Sequence, residues 1–156
     1  MRIIRVLALI AALATPALAT DWERYDNARF GYTIEVPPGL TWGPEADNGD
    51  GRQFRDGATR LAVWGGNLVE PDLEASARSD LDLAKSDGWT ITYEAIAPNW
   101  ASFSGTRGAR ILYERMIALC DPGQYAGFLL EYSVSDAAEV NPMVDRLVRS
   151  LQPTGC

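Results

Sequence analysis

A glycine-bent run of carboxylates, two cysteines and a single lysine could do chemistry in this chain, and they must do it without any histidine. That absence removes the usual general base, the Ser-His-Asp triad and every His-based metal site. In Glu45-Ala46-Asp47-Asn48-Gly49-Asp50-Gly51, the residues Asp47, Asn48 and Asp50 are candidate calcium ligands, because hard cations take several oxygens from a tightly bent loop. With Gly51 at the sixth position of an EF-hand loop, Asn48 and Asp50 fall on ligand positions. The first position is then Ala46 and the twelfth Gly57, where Asp and Glu are required. The missing ligands favour the competing reading, an Asx-rich hairpin turn.

Cys120 and Cys156 are the only cysteines and lie 36 positions apart, with no Cys-x-x-Cys motif, so one structural disulfide is expected rather than a redox pair. Such a bond consumes both thiols and leaves no cysteine nucleophile. Ser102 and Ser104 precede Gly105-Thr106-Arg107-Gly108, which reads as a turn between strands rather than a nucleophile elbow. Lys85 falls on a charged helical face, away from any role as a base for serine. A carboxylate-dependent hydrolase needs two acids about 5–9.5 Å apart, and no spacing among the 21 acidic residues singles out a pair. A deep cleft lined by two close acids of raised pKa would mark such an enzyme, whereas an exposed apolar patch would mark a binding module. Of the five tryptophans, the pattern buries Trp64 and Trp89 and leaves Trp42 and Trp100 partly exposed in loops.

The compartment follows from the N-terminus. A basic start at Arg2 and Arg5, an apolar run from Val6 to Leu13 and a small-residue site at Ala17-Leu18-Ala19 predict a signal peptide over 1–19. The chain is therefore expected to be periplasmic or secreted, without membrane insertion after cleavage, because no later apolar stretch reaches the roughly 20 residues a span requires. Residues 20–156 then form a single domain. This segment carries 12 basic against 21 acidic residues, a net charge near −9. Such a surface argues against nucleic acid, which is bound through clustered Lys and Arg.

These residues need a scaffold, and the chain spells out mostly strands. Phe30 to Val36 alternates apolar and polar residues and is closed by Pro37-Pro38-Gly39. Turns at Asn48-Gly49-Asp50-Gly51 and Asp56-Gly57 flank a short strand at 52–54, and a further strand runs from Arg60 to Trp64 before Gly65-Gly66-Asn67 breaks it. Pro71 opens a helix to Asp87 with Leu73, Ala77, Leu81 and Ala84 on one face, stopped by Gly88. Strands at 89–95, 100–104 and 110–119 follow, and then Tyr125 to Val134, whose strong alternation marks a central strand. A last helix is expected from Asn141 as cap with Pro142 in its first turn, its apolar stripe from Val140 to Leu151 lying on the sheet. The order gives an α+β fold, an antiparallel six- to seven-stranded sheet with helices packed on it.

The stretch Tyr25-Asp26-Asn27-Ala28-Arg29-Phe30-Gly31-Tyr32-Thr33-Ile34-Glu35-Val36-Pro37, with Leu40 and Trp42 beyond it, resembles the opening of PsbP-like and Mog1-like domains. The turn Asp47 to Gly51, together with Ser104-Gly105 and Tyr113-Glu114-Arg115, is also similar to a set of small exported bacterial proteins without an assigned role. The resemblance to PsbP and Mog1 implies an antiparallel sheet sandwiched by helices that serves as an accessory or protein-binding scaffold rather than an enzyme, without a cofactor. The expected function is a non-catalytic accessory or protein-binding domain of the bacterial cell envelope, with an envelope protein as partner. The alternatives are a small carboxylate-dependent hydrolase and a calcium- or ligand-binding domain.

Overall fold

The computed structural model describes residues 21–156. The expected signal peptide, residues 1–19, lies outside the described residues. The fold is α+β, as the strand and helix pattern requires. Strands β1 (Glu23–Asn27) and β2 (Tyr32–Val36) form a hairpin that a short C-terminal strand, β10 (Gln152–Pro153), joins along β2. The main sheet has seven antiparallel strands: β3 (Thr41–Glu45), β4 (Gly51–Asp56), β5 (Thr59–Asn67), β6 (Thr90–Ala97), β7 (Trp100–Arg107), β8 (Arg110–Ala118) and β9 (Gln124–Ser133). Their spatial order is β3-β4-β5-β9-β8-β7-β6, so β9 is the central strand that its alternation predicts.

Helix α1 (Leu73–Ser86) buries Leu73, Ala77, Leu81 and Ala84 against β6, β7 and β8. These are the residues its apolar spacing selects. Asp72 caps the helix by accepting from the Ala75 N–H at 2.8 Å, and the chain leaves it through Gly88, whose φ of +87° disfavours a side chain. Pro71 therefore stands just ahead of the cap rather than inside the helix.

Helix α2 (Ala137–Ser150) lies on the opposite face, against β2 and β9. It starts earlier than expected, led in by a 3-10 turn at Val134–Asp136, and Pro142 sits inside it. Pro142 lacks the N–H that would bond the Ala138 carbonyl, and Ala138 is exposed, where water can replace that bond. Asn141 does not cap: its Oδ1 accepts from the Tyr132 hydroxyl at 2.7 Å.

The main core lies between α2, the three-stranded sheet and one face of the large sheet, where Tyr32, Ile34, Phe54, Leu61, Phe128 and Leu147 are fully buried. Burying one such side chain contributes about 1.5–3 kcal/mol. Two further departures from the sequence reading involve glycines. Strand β5 continues through Gly65, Gly66 and Asn67, because Phe30 and Tyr125 lie where side chains at Gly65 and Gly66 would stand. Strand β7 likewise continues through Gly105 to Arg107, and the turn falls at Gly108 and Ala109.

Candidate functional site

The run Asp47, Asn48 and Asp50 forms the connection between β3 and β4. Asn48 Nδ2 donates to Asp50 Oδ2 at 2.7 Å, and the Asp50 N–H donates back to Asn48 Oδ1. Side chains engage three main-chain oxygens of the turn: Arg29 donates to Asn48 O, Asn27 Nδ2 to Gly49 O at 3.0 Å, and the Tyr32 hydroxyl to Asp50 O at 3.0 Å. This is the bonding of a hairpin turn. Among the described residues, no three His, Cys, Asp or Glu side chains gather as a metal site.

Cys120 and Cys156 stand at disulfide distance, their Cα atoms 5.4 Å apart, which ties the C-terminus to the end of β8. Such a pair fits an oxidising compartment. Ser102 is buried beneath Arg115, whose Nη1 donates to its hydroxyl at 3.1 Å, and Lys85 pairs with Asp82 at 3.5 Å. No Ser-Lys dyad is assembled. Trp89 is buried as expected, but Trp64 is only half-buried, and Trp42 and Trp100 lie on strands rather than in loops.

Two acids that no motif signalled do come together. Glu114 occupies β8 between Leu112 and Met116, on the face that receives α1, and is 7% exposed. Asp80 approaches it from α1, and the two carboxyls are close enough to share a hydrogen bond. Burial, reinforced by the charge of Asp80, pushes Glu114 up to about 8, and burial raises Asp80 as well. Around neutral pH the pair therefore holds a proton. The signal in the sequence is one of phase, since each acid sits where its element's apolar repeat points inward: Glu114 between Leu112 and Met116, Asp80 between Ala77 and Ala84.

This pair borders a cleft of about 360 Å³, with Trp64, Tyr125 and Leu129 as its apolar walls. The cations at its rim are engaged elsewhere. Arg60 and Arg110 both reach Glu131, at 3.5 and 3.0 Å, while Arg107 donates to the Asp87 carbonyl and covers the Trp89 ring at 4.5 Å.

Helix α1 covers only β6 to β8 on its side of the large sheet, so that side stays open over β3, β4 and β5. A shallow saucer of about 780 Å³ lies there, floored by Thr41, Gly43, Gly51, Gln53, Ala62 and Trp64. Its glycines keep the floor flat: a Cβ on Gly43 would stand 2.8 Å from the Gln53 carbonyl oxygen, and one on Gly51 closer still to that of Val63. Trp64 borders both the saucer and the cleft.

No protein-family model matches this chain, and comparison with curated proteins finds no match. Solved structures do share its fold. PsbP (CyanoP) of the cyanobacterium Synechocystis sp. PCC 6803 superposes with a TM-score of 0.62 at 12% identity, over 94% of this chain and 98% of that one. The Ran-binding protein Mog1p of Saccharomyces cerevisiae superposes with a TM-score of 0.61 at 12% identity, over 86% and 96% of the two chains. The chain thus has the PsbP/Mog1-like fold that its opening motif and order of elements suggest.

Proposed function

We propose that this protein is a non-catalytic, protein-binding accessory domain of the bacterial cell envelope, periplasmic or secreted. The observation that carries the reading is the open half of the large sheet: a flat saucer with Ala62 and Trp64 in its floor, left bare while the rest of that side is roofed by α1. A sheet face of this shape suits a partner's surface better than a small substrate, which binds in an enclosed pocket. The Ran-binding activity of Mog1p lends support by showing that a protein of this fold binds another protein. The paired cysteines support export, as does the leader pattern of residues 1–19.

The test is photo-crosslinking in intact cells. A reactive group at Gln53, exposed on the saucer floor, should give one adduct with an envelope protein, and the same group at Glu139, exposed on α2, should not. Turnover of a glycoside or peptide ester by the exported chain, abolished by Glu114→Gln, would overturn the reading.

A further inference from the structure

The cleft beneath α1 holds a buried acid without a counter-ion. Glu114 is 7% exposed, its carboxyl has only that of Asp80 for company, and neither acid takes part in an ion pair among the described residues. Every arginine bordering the cleft is already held, Arg60 by Glu131 and Arg107 by the Asp87 carbonyl and the Trp89 ring. Trp64, Tyr125 and Leu129 are among its remaining lining residues, with Leu83, Ala84 and Leu112 from the α1 side. Two carboxyls beside aromatic and aliphatic side chains in a cleft of about 360 Å³ are surroundings that suit an ammonium group on an alkyl stem.

We propose that this cleft receives a lysine side chain of the partner protein, with its stem against Trp64 and Tyr125 and its ammonium between Asp80 and Glu114. The proposal rests on the protein-binding reading above and names the chemistry of the partner. A point charge with three N–H donors can serve both carboxylates at once and takes over the place of the proton they share. The saucer and the cleft meet at Trp64, so a partner seated on β3 to β5 has only to extend one long side chain past that ring. The charge near −9 over residues 20–156 draws a basic partner in the same direction.

The experiment titrates the exported chain with Nα-acetyl-lysine N-methylamide and follows the indole N–H of Trp64 by NMR. A saturable shift at Trp64, with the Trp100 signal unmoved, is expected. The norleucine and Nε-acetyl-lysine analogues should produce none. Glu114→Gln and Asp80→Asn should weaken binding by about tenfold or more, as loss of a charge-assisted bond requires, and Trp64→Ala should abolish it. Glu114→Gln replaces a protonated carboxyl by an amide of the same shape, so an unchanged spectrum elsewhere will verify its fold. The absence of a saturable shift at Trp64, or equal binding of the acetylated analogue, overturns the proposal. Tighter binding of free putrescine overturns the protein-borne source. Crosslinks at Gln53 that persist while the lysyl compound fails would sink the lysine slot alone, whereas loss of both would sink the protein-binding reading too.

Discussion

The ring of Phe30 lies so close to the backbone of Gly65 that a Cβ added there would stand 2.6 Å from the Phe30 Cβ. The contact joins the β1–β2 hairpin to the middle of the large sheet. Gly65→Ala must push the hairpin outward or bend β5, a strain of about 1–3 kcal/mol. Urea unfolding should show that loss. A companion change, Gly57→Ala, adds a Cβ that meets nothing within 4 Å, and leaves the strain of a positive φ as its only cost.

Asn27 is a buried polar side chain that serves three partners. Its Oδ1 accepts from the Phe30 N–H at 2.9 Å, and its Nδ2 donates to Gly49 O and to the Tyr25 hydroxyl. Asn27→Ala leaves the Phe30 N–H and the Gly49 carbonyl without it, at about 1–3 kcal/mol. Asn27→Asp restores the acceptor but not the donors and should fall between the two. In the unaltered protein calcium should leave the melting temperature unchanged, because the turn of Asp47, Asn48 and Asp50 is held by Asn27, Arg29 and Tyr32. A calcium-dependent rise would return those residues to service as ligands.

The link between Cys120 and Cys156 closes a loop of 36 residues and reduces the entropy the chain gains on unfolding, a stabilisation of about 3.5–4 kcal/mol. The double change to serine should lower stability by that amount in urea while the far-ultraviolet spectrum stays native. Thiol titration of the purified protein in denaturant should find no free sulfhydryl.

Glu114 makes stability depend on pH in an unusual direction. The unfolded chain releases this proton near the ordinary value of 4.5, whereas the folded chain keeps it until about 8. Between those values the folded state binds more protons, so this group's contribution to stability is full on the acid side and is lost as pH rises. The slope from one group is at most about 1.4 kcal/mol per pH unit. Glu114→Gln should flatten this decline, as read from urea midpoints at a series of pH values. An unchanged slope would place the linkage elsewhere.

How far the sequence reads forward depends on whether a residue's role is local. The repeat of Leu73, Ala77, Leu81 and Ala84 and the alternation of Ala126, Phe128, Leu130 and Tyr132 describe what each element buries, and both hold, whereas Val134, the next in that alternation, lies past the end of β9 in a 3-10 turn and is exposed. Gly65, Gly66 and Gly105 read as breakers because nothing nearby in sequence says that Phe30, Tyr125 and the Thr90 carbonyl will press against them. Strands β1 and β3 lack an apolar run, and Pro44 masks β3, although at a sheet edge a missing N–H is tolerated. The cleft was legible only in part. Glu114 and Asp80 stand in phase with their apolar neighbours, at positions that point inward, but 34 positions of chain separate them, and only the docking of α1 onto β8 shows that they meet.

The central place of β9 carries a consequence for the order of assembly. Strands β3 to β5 and strands β6 to β8 are two separate meanders that share no hydrogen bond until Gln124–Ser133 slots between them, Arg60 against Glu131 on one flank and Arg110 against Ser133 on the other. A ribosome-bound chain that stops short of Gln124 has no means of closing the large sheet. Acquisition of the native state thus waits for the final stretch of translation, since the long-range pairings that close the sheet come last.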